Sequence, residues 1–182
     1  MEELAVPFDP VQIELYRKRD PACIYHSVWW PQELRRGRER TGEFPLVVVR
    51  EHFRRLGYTV LASEPRLPDG QGFILLSFPR YRERRHPAYT QMASLLGTDI
   101  EALDAFNLIS DKAKIAATGN RGGGDPDLFV YRPDGTERFF VEVKHKDKLN
   151  KKQLVTFPII RKQGWEVKIV RIVEASSEDL CL

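Results

Sequence analysis

The sequence predicts an α/β domain in which helices cover both sides of a central mixed sheet. Three observations carry that prediction. Two short apolar runs, Leu128 to Tyr131 and Phe139 to Val143, flank a Pro133-Asp134-Gly135 turn, the pattern of a β-hairpin. A helix-compatible stretch, Leu149 to Lys162, then leads to a last apolar run, Val167 to Ile172, so a crossover helix joins two strands. An earlier helix at 44–56 must also bury an apolar side on that sheet, which places helices on both faces.

In chain order, residues 1–42 read as a polar, irregular extension with Phe8, Ile13 and Tyr16 available as anchors. Trp29-Trp30-Pro31 marks a turn. The run 33–40 is helix-like and basic, and its Arg35, Arg36, Arg38 and Arg40 form either a solvated face or a phosphate contact. In the helix at 44–56, Pro45 suits the first turn, while Leu46, Val49, Phe53 and Leu56 recur at helical spacing up to Gly57. Tyr58 to Ser63 reads as a strand. Pro65, Pro68 and Asp69-Gly70 make a turn before a second short strand, Phe73 to Phe78. A basic loop at 80–87 precedes two helices, 87–96 and 99–116, separated by Gly97, with Asp99 as the cap of the second. The glycine-rich stretch 118–126 cannot be a regular element. Pro158 is expected to break or bend the crossover helix, and Gly164 to end it. The whole chain reads as a single domain over 1–182, with 1–42 an extension and 65–117 an insertion relative to a minimal core.

At 182 residues and 42% hydrophobic content, the chain can fill a core without metal or disulfide. Its +3 formal charge excludes an acidic tail-like protein and a polycation, and it permits nucleic acid as a partner. The surplus is uneven. Residues 1–91 carry 15 basic and 12 acidic side chains, whereas residues 92–182 carry 14 of each. Cys23 and Cys181 lie far apart and read as free thiols of a reducing compartment; two cysteines allow a single disulfide but show no framework pattern. The first residues lack the features of a signal peptide, and no apolar run is long enough to span a bilayer. The expectation is an intracellular protein, cytoplasmic or DNA-associated, with no membrane contact and no organic cofactor.

The informative chemistry lies at 126–144. Pro126-Asp127 opens the first hairpin strand, and Glu142-Val143-Lys144 closes the second. Residues two apart on a strand share a face, so Glu142 and Lys144 point the same way. The tight turn brings the outer ends of both strands together, so two carboxylates and an ammonium converge at one edge of the sheet. Asp127 and Glu142 can donate oxygens to a hard divalent cation, and the Val143 carbonyl can add another. Lys144 is then placed to orient water or to stabilise charge on a pentavalent phosphorus. Without a cation the carboxylates repel and one pKa rises. Taken alone, a Pro-Asp and a Glu-x-Lys are more often ordinary ion pairs at strand ends.

The surroundings sharpen this. The stretches Arg121-Gly-Gly-Gly-Asp-Pro-Asp127-Leu-Phe-Val, Phe140-Val-Glu142-Val-Lys144, Asp147-Lys-Leu149-Asn-Lys-Lys-Gln153 and Gly164-Trp-Glu-Val167 together resemble the VRR-NUC branch of the PD-(D/E)xK nuclease superfamily. The resemblance covers 121–167 closely and 43–64 more loosely. It implies a restriction-endonuclease-like fold and a catalytic set of Asp127, Glu142, Lys144 and Gln153, with Mg²⁺ or Mn²⁺ as cofactor. It also implies a carboxylate on the first helix that approaches the metal from the other side. Glu43 and Glu51 are the candidates. Spacing favours Glu43, since Glu51 sits mid-helix on the face away from the apolar stripe. The chain departs from the pattern at His145, where the branch usually has a small Gly, and in a shorter loop before Asp147. Asp125 is an extra acid, read here as the cap of a neighbouring turn rather than as an indirect metal contact.

The glycine run allows close approach of a ligand, and Arg121 with the amide of Gly123 could hold a phosphate. Lys146, Lys148 and Lys152 surround the exit of the site and would meet a DNA backbone, positioning it without reading bases. The expected activity is metal-dependent DNA phosphodiester hydrolysis by a structure-specific endonuclease on branched or flapped substrates, with a homodimer spanning a junction. A sequence-specific restriction or phage-type nuclease, and a non-catalytic DNA-binding protein with the same fold, are the alternatives.

Overall fold

The computed structural model describes residues 2–25, 44–62 and 87–175. Trp29 to Pro31, the Arg patches at 35–40 and 80–85, Glu43, the strand expected at 73–78, and Cys181 lie outside the described residues.

The elements run β1 (Glu3–Phe8), α1 (Val11–Lys18), α2 (Phe44–Arg55), β2 (Thr59–Ala62), α3 (Pro87–Leu96), α4 (Ile100–Thr118), β3 (Leu128–Tyr131), β4 (Arg138–Lys144), α5 (Lys151–Lys162) and β5 (Val167–Glu174). The strands form one sheet in the order β1-β5-β4-β3-β2. β3 pairs antiparallel with both β2 and β4, whereas β4, β5 and β1 run parallel. The fold is therefore a mixed α/β arrangement with helices on both faces, as the sequence predicts.

Alternation along the strands sorts the two cores. Leu128, Val130, Phe139, Val141, Val170 and Ile172 face α2, Tyr16 and Tyr25. Phe129, Phe140 and Val167 face α3, α4 and α5, where Met92, Leu103, Phe106, Phe157 and Ile160 pack on them. The helices at 87–118 thus supply much of one core.

Several expectations change. Residues 3–8 are not irregular: Leu4, Val6 and Phe8 alternate inward on a strand, and Pro7 is tolerated because β1, among the described strands, pairs with β5 alone. Val11–Lys18 is a short helix with Tyr16 buried. In α2 the buried residues are Phe44, Val47, Val48, Val49, Arg50 and Phe53, while Leu56 is exposed, so the apolar face is rotated from the expected stripe. α5 runs unbroken through Pro158. The hydrogen bond that Pro158 cannot make belongs to the Leu154 carbonyl, on the exposed side of the helix, where water can replace it. Cys23 is a free, buried thiol. No helix among the described residues is long and apolar enough to cross a membrane.

Candidate active site

The register of the hairpin builds the site. Leu128 pairs with Val141, so continuing the ladder by one step sets Asp127 opposite Glu142. Like charges at directly opposed positions destabilise a sheet, so the pair needs a compensating partner. Glu142 and Lys144 share parity with Phe140 and therefore face α5.

Each side chain is then fixed by a specific contact. Asp127 Oδ2 accepts from the Val143 N–H at 2.9 Å, just beyond the end of the β3–β4 ladder. Lys144 Nζ lies 2.8 Å from Glu142 Oε1 and 2.7 Å from Asp147 Oδ2. Gln153 Nε2 donates to Glu142 Oε1 at 2.5 Å. Glu142, Lys144 and Gln153 are buried, whereas Asp147 is largely exposed. Glu142 Oε2 is fully enclosed and meets no protein hydrogen-bond donor among the described residues.

Gln153 is held from behind. Asn150 caps α5: its side chain accepts from the N–H groups of Lys152 and Gln153, and Gln153 Oε1 accepts from the Asn150 N–H at 2.9 Å. This reciprocal capping box leaves only the amide NH₂ of Gln153 facing Glu142.

The electrostatics follow from burial. Desolvation raises the Asp127 pKa to about 6, against the pull of the Val143 N–H and of Lys144. Burial, and then the charge of Asp127, raise Glu142 to about 8, although Lys144 and Gln153 oppose the rise. Burial alone would lower Lys144. Its hydrogen bonds to Asp147 and Glu142 and their charges outweigh that, and its pKa lies above the ordinary value. Asp147 is also partly desolvated, yet the contact with Lys144 holds its pKa down. The two carboxyls interact directly, so one of them keeps a proton at neutral pH unless a cation takes its place.

This donor set fits a hard divalent cation: two adjacent carboxyls with raised pKa values, one of them presenting an enclosed oxygen without a hydrogen-bond partner among the described residues. Asp127, Glu142 and the Val143 carbonyl would hold it. Among the described residues, no group of three or more His, Cys, Asp or Glu side chains is placed to bind a metal. Glu51, the other first-helix candidate, is engaged on α2 itself. It pairs with Arg50 at 3.5 Å and Arg54 at 3.3 Å.

The remaining expected residues are spread around this centre. Arg121, Gly123, Lys146 and Lys148 are exposed. Lys152 is half-buried, and its Nζ donates to Asn120 Oδ1 and to the Gly122 carbonyl of the glycine loop. His145 packs edge-on to Phe8 with centroids 5.9 Å apart, while its carbonyl accepts from Arg171 Nη1 at 3.1 Å. Asp125, read from the sequence as a turn cap, has a further partner on α4. It forms an ion pair with the fully buried Lys114 at 2.6 Å. Asn150, Lys114 and Arg171 escape a reading of the sequence. Only Asn150 leaves a local signal, the Asn-x-x-Gln spacing of a capping box.

The chain matches no family model and no curated protein. Among solved structures it is similar to paFAN1, in a crystal structure of that protein bound to a 2-nt 5′-flap DNA with a gap. The identity is 18% and the TM-score 0.43, with 97% of this chain and 38% of that chain covered. The chain thus spans well under half the length of that protein.

Proposed function

We propose that this protein is a divalent-metal-dependent deoxyribonuclease that hydrolyses phosphodiester bonds at Asp127, Glu142, Lys144 and Gln153, using Mg²⁺ or Mn²⁺. One observation carries the reading: the enclosed, unpartnered Oε2 of Glu142 lies beside a second carboxylate whose pKa is also raised. A divalent cation at this position supplies Lewis acidity, lowering the pKa of water and neutralising a phosphoryl oxygen. Lys144 stays cationic between Glu142 and Asp147, which suits it to stabilise charge on the pentavalent phosphorus rather than to act as a base. Gln153 orients Glu142 through the amide NH₂. In the reaction, the oxygen of water bonds to phosphorus, the bond from phosphorus to the 3′ oxygen breaks, and a proton passes to that oxygen. The products carry a 5′-phosphate.

Glu43 is our candidate for a third carboxylate. Phe44, its neighbour, stands 5.5 Å from Phe8, and Phe8 meets His145 next to Lys144. The chain therefore enters α2 at the same end of the sheet as the site, on the other face. Arg121, Gly123, Lys146 and Lys148 are exposed around the site and suit backbone contacts with DNA. Branched or flapped DNA is the preferred substrate in this reading, which rests on the resemblance to the VRR-NUC branch and on the lack of a zinc-finger or helix-turn-helix motif in the sequence.

The test is cleavage of junction, flap, splayed-arm and plain duplex DNA with Mg²⁺ or Mn²⁺, with Lys144→Ala as control. Metal-dependent cutting of branched substrates, absent from the variant, is expected. No cutting of any substrate would overturn the nuclease reading. Preference for one linear sequence would overturn the structure-specific one.

A further inference from the structure

The loop that delivers Asp127 to the sheet is tied down by a buried charge. Lys114, on α4, is 0% exposed, and its Nζ donates to Asp125 Oδ1 at 2.6 Å. Asp125 stands two residues before Asp127, across Pro126. Such a pair is a poor device for stability alone, because desolvating both ions offsets their attraction and an apolar pair of similar volume does as well or better. What an ion pair adds is direction. It pins one carboxylate to one point, where apolar contacts would let a loop slide.

The rest of the loop is fastened to α5. Lys152 Nζ binds Asn120 Oδ1 and the Gly122 carbonyl. Gly124, at φ +86°, lies so close to the helix that a Cβ there would come within 2.5 Å of Lys152 Cβ. α4 and α5 pack against each other, so both ties share one base. The loop is held from two sides immediately before the residue whose carboxylate must face Glu142.

We propose that Lys114 is a positioning residue, which acts through Asp125 to set where Asp127 places its carboxylate. Its consequence for catalysis rests on the nuclease reading above. Its structural part has a reporter that needs neither metal nor DNA: the Val143 N–H donates to Asp127 Oδ2 at 2.9 Å. The Phe140 N–H, bonded to the Glu166 carbonyl at 2.9 Å on the same strand, is the internal reference.

Two variants of the full chain separate positioning from stability: Lys114→Met, and the double variant Lys114→Met with Asp125→Leu, which removes the buried charge altogether. Amide exchange is measured by NMR without metal, and Mn²⁺ affinity by calorimetry. In both variants the Val143 amide is expected to lose protection while Phe140 keeps its own, and Mn²⁺ is expected to bind about tenfold more weakly or worse. If Lys114→Met does not fold, the double variant decides alone. Unchanged protection at Val143 would overturn the proposal. So would an equal loss at Val143 and Phe140, which would mean lost stability only. If the parent neither binds Mn²⁺ nor cuts DNA, the nuclease reading fails, and the Val143-to-Phe140 comparison still decides the positioning.

Discussion

Gln153 Nε2 donates to Glu142 Oε1 at 2.5 Å, while Oε1 of the same amide accepts from the Asn150 N–H at 2.9 Å. One side chain therefore closes a helix cap and supports the carboxylate at the centre of the sheet. The amide cannot flip without setting an oxygen against a carboxylate and an NH₂ against an N–H.

That relationship makes Gln153 and Asn150 testable together. Gln153→Ala should remove both bonds, and Asn150→Ala should leave Gln153 uncapped. Each should cost about 1 kcal/mol of stability, the usual cost of a lost cap. Urea unfolding measures that cost. DNA cleavage should fall in both variants, and unchanged cleavage in Asn150→Ala would separate the cap from the site.

Lys144→Ala should slow cleavage by about a hundredfold or more, as expected for loss of a preorganised charge next to the reacting group. Mn²⁺ should bind at least as tightly, since the cation competing for Glu142 Oε1 is gone. Single-turnover kinetics and calorimetry check the two halves separately. Weaker metal binding would contradict the assignment.

The metal-free chain should lose stability as pH rises. Glu142 titrates at 4.5 as an ordinary carboxyl and at about 8 in the fold, so between these values the folded chain holds a proton that the unfolded chain has released. Its contribution is fully present below the lower value and is lost as pH rises through the upper one. Urea midpoints measured with a chelator across that window should fall, and Glu142→Gln should flatten the profile.

Neighbouring glycines should respond differently. Gly123, at φ +76°, has open space where a Cβ would go, so Gly123→Ala should cost about 1–2 kcal/mol of backbone strain only. Gly124→Ala adds a clash with Lys152 Cβ and should lower the melting temperature further. Equal effects would mean that the loop gives way freely.

Mg²⁺ or Mn²⁺ at a hundred times its dissociation constant should stabilise the fold by roughly 2.7 kcal/mol, by mass action. Thermal melts with and without metal measure this, and Asp127→Asn with Glu142→Gln should abolish the shift.

The hairpin, the crossover helix and the paired carboxylates are legible in the sequence because their signals are local. A tight turn and a two-residue period are enough to bring Asp127 beside Glu142. β1 is hidden by Pro7, which argues against a strand wherever an edge position is not already known. α1 is hidden because its buried side chains are Gln12 and Tyr16, while Val11 is exposed. Lys114 reads as a solvated lysine, and only the fold brings Asp125 to it. Lys152 reads as free for DNA for the same reason. The apolar stripe of α2 is misjudged because Leu46 and Leu56 are apolar by type, yet burial on the sheet favours Val47 and Val48.

The pairing of β1 with β5 joins residues 3–8 to residues 169–174. These are the longest-range contacts of the sheet among the described residues, so closing them carries the largest loop-entropy cost and should come late in folding. During synthesis the first strand must wait for the last. Until the two pair, each has an edge without its native partner, and the newborn chain is most exposed to pairing with a neighbour.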